Sequence, residues 1–470
     1  MLEMQHRTSD VGREGRKWLE LMKAIGEIVE YTSRENANIG NSPSAKMLQI
    51  ASTASREYYL DCVIPDDIAQ AHRNGDIHIH DLDYYGKTLT CVHIPLGRLL
   101  AEGFDTGHGY VRSPKRPASA AALAAIIIQS CQNDMHGGQS FAHFDTDMGP
   151  YMEGFDEDEA YQAMEAFVYN LNTMHSRAGA QVPFSTVNVG CDTSPGGRLV
   201  TRLLLEVYER GLGRGETPVF PNIIFRVSSG INLDPGDPNH DLFKLACRVC
   251  ARRMNPTFSF MDSSFNRGYG NEVAYMGCRT RVMANRRGRE TSDGRGNLSF
   301  TTINLPRLAI MAGRNTDRVF RLLDARLELV SRQLLNRFEI QSRLKVRDMP
   351  FLMGQKIYID SYGLGASDEI GPAIVNGTLS VGFIGLAETL IALCGAHHGE
   401  NEEAEQLGRE IVLHMRQRID AFAEENNLNF TLLATPAEGL SGRFVAIDRE
   451  RFGTIRNVTD KEYYLALINI

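Results

Sequence analysis

The sequence predicts an α/β protein with parallel strands. Two observations carry that expectation. Apolar, β-branched stretches recur near 77–82, 182–189, 220–227, 296–307, 378–384 and 430–434. Between most of them lie segments with apolar residues at helical spacing, and strand–helix alternation of this kind is the mark of an α/β architecture. At 470 residues the chain can bury a large core, either as several units or as one large α/β barrel.

Composition narrows the function classes. A 43% hydrophobic and 23% charged chain is that of a soluble globular protein. A formal charge of −8 argues against a nucleic-acid scaffold, so no direct nucleic-acid partner is expected and any connection runs through small nucleotides. Eight cysteines are too few for a disulfide framework and suit a reducing compartment. The first fifteen residues carry no apolar signal region, and no run reaches 18 apolar residues, 120–128 being the longest. The expectation is a cytoplasmic protein with no membrane partner.

Taken in order, helical spacing predicts a first helix over 17–32, a second from Pro43 through Tyr58, and a third starting at Pro65. Gly75 to Leu96 follows. Ile77 and Ile79 bury one face of a strand, and His78 and His80 alternate with them and point the same way. With Asp81 and Asp83 nearby they either bind a metal or hydrogen-bond around a polar pocket floor; no further ligands sit at close spacing, and no metal is assigned. Cys91 lies on a short threonine-rich strand.

The loop Thr106-Gly-His-Gly-Tyr-Val-Arg112 precedes an Ala-rich helix over 119–131. A basic loop ahead of a helix N-terminus is either a phosphate site or an exposed turn. The helix is apolar on nearly all sides and so is either core or a subunit interface. Helices are expected from 153, over 198–209, 242–254, 317–344 and 402–426, and from the end of the 378–384 strand to Cys394. Cys247 and Cys250 have neither a partner pair nor a catalytic context. The stretch Thr435-Pro-Ala-Glu-Gly-Leu-Ser441 sits at a strand-to-helix junction, where backbone N–H groups can cradle a triphosphate.

The most informative stretch is Asn271 to Val282. Gly277 permits backbone angles that aim the next side chain, Cys278, out of a tight loop, and Arg279 and Arg281 add positive charge. Cys278 is either a buried small hydrophobe or a redox or radical sulfur presented inside a pocket.

The ordered set of motifs resembles the class III anaerobic ribonucleoside-triphosphate reductases, glycyl-radical enzymes. The matching pieces are Gly-Asp-Ile-His-Ile-His-Asp-Leu-Asp, Thr-Gly-His-Gly-Tyr-Val-Arg, His-Gly-Gly-Gln-Ser, Gln-Val-Pro-Phe-Ser-Thr-Val-Asn, Ala-Tyr-Met-Gly-Cys-Arg-Thr-Arg-Val, Gly-Arg-Gly-Asn-Leu, Thr-Ile-Asn-Leu-Pro-Arg, Gly-Thr-Leu-Ser-Val-Gly-Phe-Ile-Gly-Leu-Ala-Glu and Thr-Pro-Ala-Glu-Gly-Leu-Ser-Gly-Arg-Phe. The resemblance implies a ten-stranded α/β barrel, two five-stranded parallel halves, with a central finger loop carrying Cys278. It implies that Cys278 becomes a thiyl radical and abstracts the ribose 3′ hydrogen. Cys91 delivers hydrogen to the 2′ carbon, Asn297 lies near the ribose, and Met276 stands beside the radical loop. Substrate contacts fall to Ser185, Asn188, Thr435, Ala437, Glu438, Gly439 and Ser441. Effector contacts fall to His108, Arg112, Gln129 and Gln132, in the 104–150 region where the family dimerises. The implied partners are ribonucleoside triphosphates, a dNTP or ATP effector, a second copy of the chain and a radical-SAM iron–sulfur activase. Formate is the implied reductant.

The resemblance also has departures. Residues 1–32 read as a helical extension, with no ATP-cone ahead of the 33–464 barrel. Residues 465–470 read as a divergent tail where the family continues to a four-cysteine zinc site and a radical glycine; no cysteine follows Cys394. The expected function is anaerobic reduction of ribonucleoside triphosphates, with no cofactor held by the chain itself. The glycyl radical would come from a C-terminal module or a separate polypeptide. The alternatives are a truncated, catalytically inactive nucleotide-binding protein and another glycyl-radical enzyme.

Overall fold

A computed structural model describes residues 21–26, 42–175, 181–277, 280–435 and 438–465. Thirteen strands are named here: β1 (Ile77–Ile79), β2 (Val92–His93), β3 (Phe104–Asp105), β4 (Tyr110–Val111), β5 (Gln139–Phe141), β6 (Ser185–Val189), β7 (Asn222–Val227), β8 (Thr257–Phe260), β9 (Tyr275–Met276), β10 (Thr280–Arg281), β11 (Asn297–Asn304), β12 (Thr378–Ile384) and β13 (Asn429–Ala434). Two sheets dominate. One is five-stranded, in the order β2-β5-β6-β7-β8, with every neighbouring pair parallel. The other is four-stranded, in the order β1-β11-β12-β13; β1 runs antiparallel to β11, and the remaining pairs are parallel.

The α/β class with parallel strands holds. The ten-stranded barrel does not: among the described residues one half has four strands rather than five, and its edge strand β1 is antiparallel. The two sheets are stitched along one seam. The Asn297 carbonyl accepts from the amides of both Thr90 and Cys91 at 3.1 and 3.0 Å, His93 donates to the Arg295 carbonyl at 2.9 Å, and Gly294 donates back to His93 at 2.8 Å. On its other side the same segment accepts from Thr378 at the start of β12, through the Gly296 carbonyl at 3.0 Å. The seam requires glycine: a Cβ on Gly296 would lie 1.7 Å from the Cys91 carbonyl oxygen.

Strand composition follows from position. Every residue of β6 and of β12 is buried, as expected for parallel strands covered on both faces. The connecting helices start where side chains satisfy free N–H groups: Asp156 caps Glu157–Thr173, Ser194 caps Pro195–Arg210, Asn315 caps Thr316–Ser342 and Asn401 caps Glu402–Asn426. The helix Phe144–Met152 was not anticipated. It carries Pro150 internally, and Gly149 lets its backbone meet Gly196 so closely that a Cβ would sit 2.6–3.1 Å away on either side. One continuous apolar core joins both sheets; a smaller one lies under the helix Glu438–Phe452, and a third, Met261, Val273 and Met283, sits under the β9–β10 hairpin.

Of the expected first helix, residues 21–26 are helical; the rest of 17–32 lies outside the described residues, as does 466–470 of the expected tail. Among the described residues no helix is long and apolar enough to cross a membrane.

Candidate active site

The β9–β10 hairpin pairs Met276 with Thr280 and Tyr275 with Arg281. Three chain positions separate the paired Met276 and Thr280: Gly277, Cys278 and Arg279. Gly277 has φ +59°, a left-handed conformation that favours glycine. Cys278, on which the sequence reading rests most weight, lies with Arg279 outside the described residues.

Side chains of the neighbouring strands hold the hairpin. Asn188 donates from Nδ2 to the Tyr275 carbonyl and accepts at Oδ1 from the Tyr275 N–H, both at 2.9 Å. Thr186 Oγ1 accepts from the Gly277 N–H at 3.0 Å, and Ser140 Oγ donates to the Tyr275 carbonyl at 3.2 Å. At the base, Ser292 Oγ accepts from Ala274 N–H and lies 3.0 Å from the Val282 carbonyl, tying the two legs. Arg295 is fully buried and donates to four carbonyls, those of Met283, Thr291, Ala284 and Asn376, at 2.6–3.0 Å. Burial lowers its pKa from the ordinary guanidinium value.

Sequence reasoning gave Asn188 and Ser185 to the substrate. Asn188's amide is engaged with the hairpin. Ser185 falls on the opposite face of β6 from Thr186 and Asn188, fully buried, and its hydroxyl has no hydrogen-bond partner among the described residues. Met276 is fully buried in the hairpin, as its position beside Gly277 suggests.

Cys91 is a half-buried cysteine at the seam. Its amide rests on the Asn297 carbonyl, so the Cys91 and Asn297 backbones are brought together. The β11–β12 register shifts between Asn297 and Ser299, a bulge that frees the Asn297 carbonyl from a regular ladder. The Asn297 side chain is buried and accepts from Ser299 N–H at 3.2 Å.

At the far end of β11 lies a buried polar chain. His80 Nε2 is 2.8 Å from Thr302 Oγ1, which is 2.8 Å from Thr435 Oγ1. His78 sits edge-on to His80 with ring centroids 4.8 Å apart, and His72 is 5.3 Å from His78. Burial holds all three imidazoles neutral, His72 at about 3, His80 at about 4 and His78 well below its ordinary value. The contacts of His78 and His80 run to each other, to Thr302 and to Arg443; among the described residues no group of three or more acidic, His or Cys side chains could hold a metal. Arg443, one turn into the helix Glu438–Phe452, reaches His78 Nδ1 at 3.4 Å and the His72 carbonyl. Burial, with Arg307 nearby, brings its pKa to about 10. It remains a cation beside neutral rings.

Thr435 is fully buried at the end of β13; Pro436 and Ala437 lie outside the described residues, as does the Glu438 side chain. Gly439 is exposed with open space where a Cβ would stand, and Ser441 is buried, its carbonyl accepting from Tyr464 N–H at 3.4 Å. The helix behind this loop is pinned by Asp448, fully buried, which binds Arg307, Asn304 at 2.9 Å and the Tyr464 hydroxyl at 2.8 Å.

The expected effector residues divide. His108 and Arg112 are exposed around the β3–β4 hairpin, before the helix Pro117–Cys131; Gln129 is half-buried and Gln132 buried at that helix's other end, roughly 20 Å along its axis. The helix leaves a stripe, Ser119, Ala122, Leu123, Ile126 and Gln129, partly or fully uncovered.

Arg295, Thr186, Arg443 and Asp448 were not anticipated. Arg443 alone had a signal, a basic residue shortly after a glycine-containing cradle.

Comparison with known proteins agrees on one family. A family model described as anaerobic ribonucleoside-triphosphate reductase matches residues 35–469. The anaerobic ribonucleoside-triphosphate reductase of Escherichia coli is 33% identical over 503 residues, covering 98% of this chain and 69% of that protein. The enzyme of the same name from Enterobacteria phage T4 is 29% identical over 485 residues, covering 95% of this chain and 78% of that protein. Among solved structures, the Thermotoga maritima anaerobic ribonucleotide reductase with glycerol in its active site superposes with a TM-score of 0.73 at 16% identity, over 98% of this chain and 82% of that one. The same enzyme in complex with dATP and CTP gives 0.72 at 15% identity, over 98% and 82%. At such identities these two speak for the fold.

Proposed function

The chain belongs to the anaerobic ribonucleoside-triphosphate reductase family, whose reaction reduces ribonucleoside triphosphates to deoxyribonucleoside triphosphates, and from that premise we propose that Cys278 and Cys91 are its two reacting sulfurs. Removing a 2′-hydroxyl from an unactivated sugar needs radical chemistry in a water-free site. A glycyl radical, on a C-terminal module or a partner polypeptide, supplies the one-electron oxidation of the Cys278 thiol. The Cys278 sulfur would then take the 3′ hydrogen atom, the 2′-hydroxyl would leave as water, and Cys91 would give a hydrogen atom to the 2′ carbon; formate, oxidised to carbon dioxide, would restore the Cys91 hydrogen and supply the second electron, and Cys278 would return the 3′ hydrogen. With formate as reductant, one ribonucleoside triphosphate, one formate and one proton become the deoxyribonucleoside triphosphate, carbon dioxide and water.

The observation that carries this reading is the seam. Cys91 is held on the Asn297 carbonyl where the two sheets meet, while the hairpin that contains position 278 is bound to the face of the adjoining sheet by Thr186 and Asn188. In the family's barrel a finger loop brings the two sulfurs to one ribose, with Met276 and Asn297 beside it. The triphosphate is assigned to the loop from Thr435 to Ser441, at a helix N-terminus with Arg443 behind it. A dNTP or ATP effector is assigned to His108, Arg112, Gln129 and Gln132. The uncovered stripe of the helix Pro117–Cys131 supports a homodimer there, because two copies packed along it would bring opposite helix ends together. Activation falls to a radical-SAM iron–sulfur activase.

The test is anaerobic turnover of CTP by the activated enzyme with formate. Cys278→Ala and Cys91→Ala are each expected to abolish dCTP formation while CTP binding changes by less than about threefold. Full turnover by Cys278→Ala would refute the assignment.

A further inference from the structure

The hairpin that carries position 278 is not part of either sheet. Among the described residues its strand β9 pairs with β10 alone. The strand beneath it, β6, already exchanges its backbone hydrogen bonds with β5 on one side and β7 on the other. Its main chain therefore has nothing left to offer the hairpin. The gap is filled by side chains. Thr186 and Asn188 stand two residues apart on one face of β6, a spacing of about 6.6 Å. The groups they bind, the Gly277 N–H and the Tyr275 N–H, are also two residues apart in the hairpin. Asn188 satisfies both main-chain groups of Tyr275 at 2.9 Å, and Ser140, the residue of β5 opposite Thr186, adds a second donor to the Tyr275 carbonyl. All three side chains are fully buried, so water cannot substitute for them.

We propose that Thr186, Asn188 and Ser140 are positioning residues of the reaction, a side-chain ladder that sets the register of 275–277 and so the reach of the sulfur at 278. A slip of one residue would advance the hairpin by about 3.3 Å, a step larger than the tolerance of a near-attack geometry. The slip would also present Met276, whose side chain is buried on its own account, to hydrogen-bonding groups shaped for Tyr275 and Gly277. The ladder is made of neutral hydrogen bonds throughout. It introduces no ionisable group next to the thiol. The inference rests on the assignment of Cys278 as the hydrogen-abstracting sulfur.

The test uses the activated enzyme under anaerobic conditions. Thr186→Val keeps the side-chain shape and leaves the Gly277 N–H without a partner; Thr186→Ser restores the acceptor. For Thr186→Val, kcat is expected to fall by roughly tenfold or more, with CTP affinity within about twofold of the parent. Thr186→Ser is expected to recover most of that loss. Amide exchange at Gly277 is expected to accelerate in the Val variant and not in the Ser variant. Asn188→Asp, which keeps one acceptor but sets a second against the Tyr275 carbonyl, gives the same pattern at Tyr275 and serves if Thr186→Val fails to fold. The proposal is overturned if Thr186→Val turns over at the parental rate, if Ser is as damaging as Val, or if CTP affinity falls in step with kcat. Cys278→Ala, run alongside, separates the two claims: full activity there refutes the sulfur assignment, whereas the exchange data judge the ladder by themselves.

Discussion

Replacing Gly296 with alanine tests whether the seam positions Cys91. The added methyl would sit 1.7 Å from the Cys91 carbonyl oxygen, 2.5 Å from its carbonyl carbon and 2.8 Å from Val92 Cα. All three are main-chain atoms, so no side chain can swing aside. Restoring ordinary contact requires the two segments to part by well over an ångström. Four main-chain hydrogen bonds cross this gap: Thr90 and Cys91 to Asn297, His93 to Arg295, and Gly294 to His93. At about 1 kcal/mol net each, their loss costs about 4 kcal/mol, with more for any group left buried and unpaired. A displacement of that size at a reacting group also costs on the order of 10²-fold in rate. Thermal unfolding and anaerobic CTP reduction by the activated enzyme read both effects. Gly213→Ala, where a methyl would meet nothing within 4 Å, is the control. A Gly296→Ala variant that melts and turns over like the parent would show that the seam does not have the geometry described, and the placement of Cys91 would go with it.

Two further outcomes follow from buried charge. Asp147 is pushed up to about 7, by burial first and then by the charge of Asp293. Its folded value lies above the ordinary 3.8, so its contribution to stability is whole below pH 4 and drains away as pH rises to 7. Asp147→Asn escapes that loss: its advantage over the parent in urea unfolding should grow by up to about 1.4 kcal/mol per pH unit between pH 4 and 7 and then level off; an advantage independent of pH would contradict the burial of this carboxyl. Asp448→Ala removes one of two carboxylates from Arg307, which keeps Asp76, and leaves Asn304 and Tyr464 short of a partner, so a loss of about 2–4 kcal/mol is expected in the same measurement, and a loss below about 1 kcal/mol would refute it.

The strand–helix alternation is readable where a buried parallel strand is a near-continuous apolar run, as in β7 with Ile223, Ile224, Phe225 and Val227. Short strands gave no such signal. β2 and β5 have two and three residues, and they are strands because of what they pair with. The helix Phe144–Met152 was hidden for a related reason: its glycine and proline oppose helix locally, and the contact that justifies Gly149 comes from Gly196. The site divides in the same way. Cys278, Gly277 and the Thr435 loop announce themselves by local chemistry. Arg295 does not, because its acceptors are carbonyls, which every residue has, and one of them lies 81 positions away. Asn188 drew attention as a polar residue on a strand, but only the fold shows that the group it binds is the chain's own backbone.

That distinction bears on how the site is built. β11 is the one strand that meets both ends of it. Its first residue, Asn297, carries Cys91 at the seam, and Thr302, near its end, joins His80 to Thr435 at the expected triphosphate loop. The Asn304 side chain then ties the strand to Asp448 in the helix behind that loop. The span of β11 therefore fixes the Cys91 seam and Thr435 relative to each other. The bulge at Leu298 is what allows one strand to serve both: it turns the Asn297 carbonyl out to the neighbouring sheet while the ladder from Ser299 onward stays regular. A site whose two ends were held by separate loops would let them drift independently. Here a single eight-residue strand, paired on both sides, makes their separation a property of the sheet.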